Sequence, residues 1–528
     1  MRVRFLGTAA VAALVLSACN GGSGSYPAGS GYPADQSAST GFTQTEIAAM
    51  PPQMRERYKA NEISPVRRTA DAPVSTFAVD VDTASYSNVR RFITQGQTPP
   101  RDAVRSEELI NYFRYDYPLP TDRTAPFSVT TDVARTPWNP DTRLLRIGLR
   151  GYDLNYAQRP AANLVFLVDV SGSMNEADKL PLVKQALTTL ADNLRPQDCV
   201  SIVVYAGAAG VVLDASSDSD EIRDALDKLE AGGSTAGGEG IELAYATARA
   251  NMRAGGINRV ILATDGDFNV GITDRKQLEE LIEKNRDSGI TLTTLGFGQG
   301  NLNDAMMEGI ADKGNGNYAY IDSAAEARKV LDEELSSTLF TIAKDVKVQV
   351  EFNPALVSEY RLIGYENRAL KEEDFANDRV DAGDIGAGHQ VTAIYEIVPA
   401  GSKGWLGERR YAANQRTAAP VGSGNEFAFV KLRYKLPEGD TSRLIQRPVS
   451  AALLAQAGYP SGDMAFAVSV AGFAQMLRGD PLLGRWNWQD LRDLAGRPQG
   501  QYRQEFLTLI DRAEANALRT APEGAGRE

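Results

Sequence analysis

The stretch that most constrains the fold is an apolar run, Val165 to Val168, that ends in Asp169. Such a run, followed by a Gly/Ser turn, is typical of a central strand in a parallel sheet covered by helices on both faces. Ser171 and Ser173 follow the carboxylate at alternate positions, beyond the strand end where open α/β sheets bind their ligands. Because all three side chains offer oxygen donors, the loop predicts a site for a hard divalent cation, above all Mg²⁺.

The middle of the chain alternates apolar strands with amphipathic helices, which predicts a parallel sheet built by crossover connections. A glycine-rich loop at 231–238 contains Thr235, a second buried strand at 259–264 is followed by Asp265, and a closing helix is predicted at 325–339. The loop has no lysine in a P-loop position and no GxGxxG pattern, which argues against a nucleotide site. Its glycines instead favour a close approach of Thr235 to a shared ligand.

Together these elements resemble the metal-ion-dependent adhesion site of the von Willebrand factor A (VWA) family. The resemblance is carried, in chain order, by Asp169-x-Ser171-x-Ser173, by Thr235 in its glycine-rich loop and by Thr264-Asp265-Gly266. It covers residues 163–343 and implies an α/β fold, a doubly wound and mostly parallel, Rossmann-like sheet.

The resemblance also implies a role for each position. Ser171 and Ser173 would bind the cation directly, and Asp169 and Asp265 would hold it directly or through water. Thr235 would join or leave the ligand shell with conformation. Mg²⁺ takes roughly six oxygen ligands, so these residues need not fill every position. In the family, an Asp or Glu carboxylate of a partner protein completes the shell.

Three further groups of polar residues have structural interpretations. Asp267 lies near the predicted site and is interpreted as a solvated acid or as a group that orients the ligands. Asp80 and Asp82 resemble part of the oxygen cluster, but we expect Asp82 and Thr83 to cap the helix that follows. The single histidine, His389, is expected in an exposed loop, so histidine-rich zinc chemistry and a Ser-His-Asp triad are poorly supported.

The N-terminal sequence predicts a location in the cell envelope. Residues 1–18 place two arginines before an apolar core, as in a secretory signal peptide, and Leu16-Ser17-Ala18-Cys19 resembles a bacterial lipobox. Cys19 would be acylated, and residues 19–70, rich in Gly, Ser, Pro and Ala, would form a flexible tether. Asn20 favours the outer membrane, with the protein facing the periplasm. An ordinary signal peptide cut elsewhere is the alternative.

The regions on either side of the predicted VWA domain, 161–343, have other periodicities. Residues 71–160 indicate an α+β region, 344–447 alternate as half-buried antiparallel strands, and 448–528 form helices with apolar stripes. We infer one β-sandwich from the first two regions, with the VWA domain inserted into it; a separate C-terminal sandwich is the alternative. This layout resembles uncharacterised bacterial envelope lipoproteins with a VWA domain between a family-specific N-terminal region and a C-terminal domain of unknown function.

Composition narrows the function further. The chain has 56 basic and 68 acidic residues, a net charge of -12 and no long basic run, which disfavours nucleic-acid binding. The leading hypothesis is a lipid-anchored envelope protein, not an enzyme, that captures an acidic group on a protein partner through Mg²⁺. An envelope assembly or structural factor is one alternative. A metal-dependent hydrolase is another, disfavoured because the motif supplies no histidine and no second metal cluster, with Asp267 the only local candidate for a base.

Overall fold

The structure is a computed structural model of the 528-residue chain. It describes residues 56–154, 159–234, 237–266, 275–334, 337, 339–407, 409, 425–437 and 439–520. The predicted signal peptide, Cys19, residues 19–55 of the predicted tether, Thr235 and Asp267 lie outside these residues. The predicted end of the tether at residue 70 is wrong, because residues 56–70 pack on the fold: Arg67 and Arg68 pair with Tyr360 and Glu359 in a sheet, and Glu56 pairs with Arg91 at 2.8 Å.

The described chain contains three β-sheets and helices on both sides of the central one. The strands are β1 Arg67–Arg68, β2 Val74–Ala78, β3 Phe127–Arg135, β4 Arg143–Gly151, β5 Ala162–Asp169, β6 Cys199–Tyr205, β7 Ala209–Ser216, β8 Ile257–Thr264, β9 Thr291–Phe297, β10 Tyr318–Ile321, β11 Thr341–Phe352, β12 Val357–Ile363, β13 Ala369–Leu370, β14 Gly383–Gly386, β15 Gln390–Pro399, β16 Glu426–Lys435 and β17 Ser442–Ser450. The α-helices are α1 Ala84–Thr94, α2 Ser106–Asn111, α3 Leu180–Asp192, α4 Ser219–Asp227, α5 Gly237–Ala250, α6 Arg275–Asp287, α7 Asp304–Lys313, α8 Ala324–Arg328, α9 Ala451–Ala455, α10 Gly462–Arg478, α11 Trp488–Ala495 and α12 Gln501–Thr520. Short 3₁₀ turns lie at Arg101–Ala103, Gly172–Asn175, Glu366–Arg368, Glu372–Ala376 and Pro481–Leu483.

The central sheet is built around β5, all eight of whose residues are buried. Its strand order is β10-β9-β8-β5-β6-β7, and every neighbouring pair is parallel except β6 with β7. The chain passes from β5 to β6 on one side and returns as β8 on the other, so the strand order reverses at β5. Open α/β sheets bind ligands beyond the carboxyl ends of their strands at such a point. The predicted doubly wound, mostly parallel sheet is confirmed.

Two antiparallel sheets flank this domain, with orders β1-β12-β15-β4-β3 and β13-β2-β11-β16-β17. Strand β4, before the central sheet in sequence, pairs with β15 after it, for example Leu145 with Tyr395. Strand β2 pairs with β11 in the same way, for example Phe77 with Val348. Of the two arrangements that the sequence left open, the structure shows the inserted one: the central α/β domain interrupts sheets to which both flanks contribute.

The two antiparallel sheets pack face to face through aromatic rings. The Phe352 ring of β11 lies 5.3 Å from the Tyr395 ring of β15, and the Phe127 ring of β3 lies 5.1 Å from the Tyr434 ring of β16. All four side chains are buried. Such ring pairs add about 0.5–1.5 kcal/mol to the stabilisation from the area that they bury. The same buried cluster includes residues of the central sheet, so the core of the sandwich is continuous with the core of the central domain.

The C-terminal helices pack on the N-terminal region, as their apolar stripes predict. The ring of Phe113, just after α2, lies 5.0 Å from Phe466 of α10 and 5.5 Å from Phe506 of α12. Phe473 of α10 contacts the same Phe506 ring at 5.3 Å. The helical segment therefore completes a second core with the chain that precedes the VWA domain. No described helix combines the length and apolar character that a membrane span needs.

The predicted closing helix, 325–339, reaches its predicted end, since Ser337 and Leu339 are helical, but it is not a regular α-helix throughout. Its regular part is α8, Ala324–Arg328, and residues Lys329–Glu333 form a π-helical turn. The Lys329 ammonium lies 4.2 Å from the centroid of the Tyr112 ring, and Arg90 pairs with Glu326 at 2.7 Å. The leucine spacing predicts a regular α-helix here. The π-helical turn that replaces it lies where the segment makes these contacts with the N-terminal region.

Two other expectations about polar residues are also wrong. Asp82 does not cap α1: its carboxylate accepts from the Tyr318 amide at 2.8 Å and pairs with Arg368 at 3.3 Å, and the Thr83 side chain makes no capping bond. His389 is half-buried rather than exposed, and its Nδ1 accepts from the Gly386 amide at 3.2 Å. Burial lowers the pKa of His389 to about 3, with nearby cations acting in the same direction.

Candidate metal centre

The polar side chains of the candidate site lie where three neighbouring strands end. Asp169 is the last residue of β5, Tyr205 the last of β6 and Thr264 the last of β8. Because these strands are adjacent and parallel, their carboxyl ends meet at one edge of the sheet. The site thus occupies the position that the strand order favours for a ligand.

Asp169 is held rigidly and is completely buried. Its Oδ2 accepts from the Tyr205 hydroxyl at 3.1 Å and from the Thr264 hydroxyl at 3.0 Å, while its Oδ1 accepts from the Ser171 amide at 2.9 Å. Burial raises the pKa of Asp169 to about 6, and hydrogen bonds from Ser171 oppose that rise. Burial and the neighbouring Asp169 raise the pKa of Tyr205 well above its usual value, so its hydroxyl remains a donor.

The two serines present a pair of oxygen atoms beside this carboxylate. Ser171 is buried and Ser173 exposed, and a hydrogen bond joins their hydroxyl oxygens, which lie 3.0 Å apart. In an octahedral shell with Mg²⁺–oxygen distances of about 2.1 Å, adjacent ligand atoms are separated by about 3.0 Å. The serine hydroxyls therefore already have the spacing of two neighbouring ligands, with one of them open to solvent.

The glycine-rich loop is joined to the site loop by backbone hydrogen bonds. The Gly172 amide donates to the Gly233 carbonyl at 3.1 Å, and the Gly232 amide donates to the Val170 carbonyl at 2.8 Å. These bonds bring the chain that leads to Thr235 against the serine loop. Thr235 itself lies outside the described residues, so its place in the ligand shell stays a prediction.

Asp265 follows β8 and is completely buried. Its Oδ2 accepts from the Lys179 ammonium at 2.8 Å and from the Asn301 amide at 2.9 Å. Gly266 turns the chain directly after it with a φ of +87°, and a Cβ there would lie 2.5 Å from the Asn303 amide nitrogen. Only glycine meets both demands, so the turn after Asp265 depends on this residue.

The donor set fits a hard divalent cation. It offers two hydroxyl oxygens with ligand spacing, a buried carboxylate directly beside them and a second carboxylate from the next strand. Within the described residues, no group of three or more His, Cys, Asp or Glu side chains could hold a metal. That finding is compatible with this site, because serine hydroxyls rather than clustered acids supply its closest pair of oxygens.

Sequence reasoning assigned no role at the site to four residues that shape it, although Thr264 is part of the motif that carries the resemblance. Tyr205 and Thr264 end the strands on either side of β5, and strand ends are a signal that could have found them. Lys179 and Asn301 reach the site from the start of α3 and from the loop after β9. No local pattern in the sequence marks either of these two residues.

The fold and the serine loop define a VWA-domain protein. Residues 163–333 match the family described as von Willebrand factor type A domain, and 52–146 match the family described as von Willebrand factor. Residues 337–515 match the family described as uncharacterized protein YfbK, C-terminal. The chain is 46% identical over 470 residues to the uncharacterized protein YfbK of Escherichia coli K12, a match that spans 87% of this chain and 81% of that protein. The chain therefore belongs to the YfbK family of bacterial VWA-domain proteins.

Two further proteins resemble the chain at lower sequence identity. Human inter-alpha-trypsin inhibitor heavy chain H3 is 25% identical over 272 residues, which cover 47% of this chain and 30% of that protein. The solved structure of a von Willebrand factor type A protein from Catenulispora acidiphila aligns with a TM-score of 0.40 and 16% identity over 77% of this chain and 88% of that one. Membership of the VWA family supports a role in protein interaction or adhesion, and nothing in these comparisons indicates catalysis.

Proposed function

We propose that this protein captures an acidic side chain of a protein partner through a Mg²⁺ ion held at the serine loop. Ser171 and Ser173 would supply the nearest oxygens, and Asp169, Asp265 and Thr235 would complete the protein's share of the shell. The observation that carries the proposal is the 3.0 Å spacing of the two serine hydroxyls beside the buried carboxylate of Asp169.

The charge of these ligands favours an anionic partner. Serine hydroxyls are neutral, and Lys179 offsets the charge of Asp265, so a divalent cation at this loop keeps part of its positive charge toward the solvent side, where Ser173 is exposed. A carboxylate is a hard oxygen ligand of the kind that Mg²⁺ prefers. An aspartate or glutamate of a partner therefore suits a remaining position of the shell in both charge and atom type.

The proposed setting is the cell envelope, with the protein held to the outer membrane by a lipid on Cys19. The support is the signal-like segment 1–18, the lipobox-like sequence before Cys19 and the Gly/Ser/Pro-rich stretch that follows it. A lipid anchor and a flexible tether would let the site reach partners some distance from the membrane.

We expect the full chain to retain a partner from envelope extract in Mg²⁺ and to release it when the ion is chelated. The Asp169→Asn variant should fail to retain the same protein. Asp214→Asn is the matched control, because Asp214 is an exposed acid of β7 and bonds the Ala215 amide. Retention that is equal with chelator and with the Asp169 variant would contradict the proposal.

A further inference from the structure

A buried ammonium group lies inside the candidate metal centre. Lys179 precedes α3, and only 6% of its surface is exposed. Its Nζ donates to Asp265 Oδ2 at 2.8 Å and to the Asn301 side-chain oxygen at 3.2 Å. The Asn301 amide in turn donates to the same Asp265 oxygen at 2.9 Å. The lysine, the asparagine and the aspartate thus form a closed triangle of hydrogen bonds.

The fold makes room for this lysine. Gly298, just after β9, has a φ of +68°, and a Cβ on it would lie 2.4 Å from the Lys179 Cγ. The aliphatic stem of Lys179 therefore runs directly over the backbone of Gly298 toward Asp265. Because Asp265 after β8 and Asn301 after β9 both accept from it, the ammonium has a defined position.

The ammonium changes the charge that the site presents to a cation. Asp169 and Asp265 are two buried carboxylates, and Lys179 neutralises one of them, so the three side chains sum to a single negative charge. Like charges repel more strongly at buried positions than in water, because the effective dielectric constant there is about 20 rather than about 80. Lys179 therefore opposes the entry of a divalent cation and leaves the loaded site with a net positive charge.

We propose that Lys179 couples the two ligands of this site: it keeps the cation weakly bound on its own and strengthens the binding of a carboxylate once the cation is in place. Lys179 is a positioning residue, since it acts through Asp265 and through its charge. The inference rests on the proposed function and deepens it. It predicts that metal and acidic partner bind cooperatively, and by linkage each raises the affinity of the other by the same factor.

Calorimetric titration of the full chain with Mg²⁺ tests the first half of this inference. Lys179→Gln removes the charge but keeps a donor toward Asp265, and we expect it to tighten Mg²⁺ binding by about tenfold or more. Lys179→Met should tighten it as well, and Lys179→Arg should resemble the wild type. Lys184→Met is the matched control, because Lys184 lies on the same helix and bonds the Asp227 carbonyl instead.

Repeating the Mg²⁺ titrations in acetate and in chloride of equal ionic strength tests the second half. Acetate should tighten Mg²⁺ binding in the wild type and do so less in Lys179→Gln. If the ion pair of Lys179 with Asp265 only stabilised the fold, the Lys179 variants would instead bind Mg²⁺ more weakly and melt at a lower temperature. Unchanged or weaker Mg²⁺ binding by folded Lys179→Gln, or an equal acetate effect in both proteins, would overturn the inference alone. Absence of Mg²⁺ binding by the wild type would overturn the proposed function too.

Discussion

Replacing Asp169 by asparagine is expected to lower the affinity for Mg²⁺ by about 100-fold or more. The change removes the charged oxygen beside Ser171 and Ser173 while keeping the size of the side chain. The amide oxygen can still accept a hydrogen bond from Tyr205 or Thr264, whose hydroxyls hold the carboxylate in the wild type. Calorimetric titration of the purified full chain with Mg²⁺ measures the effect.

Folding of the Asp169→Asn variant should survive. Asp169 is completely buried, and this burial raises its pKa to about 6 because the protein interior disfavours the charged form. A neutral amide at this position therefore avoids the desolvation of a carboxylate. A melting temperature near that of the wild type, together with lost Mg²⁺ binding, is the predicted pair of results. Wild-type Mg²⁺ affinity in this variant would contradict the assigned role of Asp169.

The second large effect is on stability, at the contact between the N-terminal region and the VWA domain. Arg105, just before α2, donates to both oxygens of Asp304 at the start of α7, at 2.5 and 3.2 Å, and its Nε donates to Glu108. All three side chains are buried. Arg105→Met leaves two buried carboxylates without their cation, so unfolding in denaturant should show a loss of about 3–5 kcal/mol.

Arg223→Met provides the control for that measurement. Arg223 also pairs with two carboxylates, Asp192 at 2.6 Å and Asp220 at 2.5 Å, but its side chain is 40% exposed. Solvent screens such pairs, and many contribute nothing measurable. A free energy of unfolding that falls equally in both variants, or in neither, would contradict the view that the buried contact joins the two regions.

The serine loop that we propose as the metal site could be predicted from sequence because its residues are local. Asp169, Ser171 and Ser173 lie within five positions of one another, and the fully apolar β5 before them identifies both the strand and the edge of the sheet. Lys179 and Asn301 could not be found in this way. They meet at Asp265 only after the chain has crossed several elements, and no spacing in the sequence encodes that meeting.

In the flanking regions, too, local sequence patterns identify strands but not the distant strands with which they pair. Alternation in β11, β15 and β16 predicts strands with one buried face, and β16 shows this pattern. The prediction is wrong for β15, in which eight consecutive residues are buried because the strand contributes to both hydrophobic cores, and for the five consecutive buried residues of β11. Alternation does not specify a partner, and β4 and β15 pair across the whole inserted domain. The sequence therefore allows both an inserted domain and a separate C-terminal sandwich. The observed pairing of β4 with β15 shows that the domain is inserted.

The most direct test of the central claim is the position of a bound ion. Crystals of the full chain soaked in Mn²⁺, which also takes oxygen ligands, locate the ion by its anomalous scattering. We predict a peak within bonding distance of the hydroxyl oxygens of both Ser171 and Ser173. An ordered serine loop with no peak, or peaks only at other carboxylates, would contradict the claim that this loop binds a divalent cation.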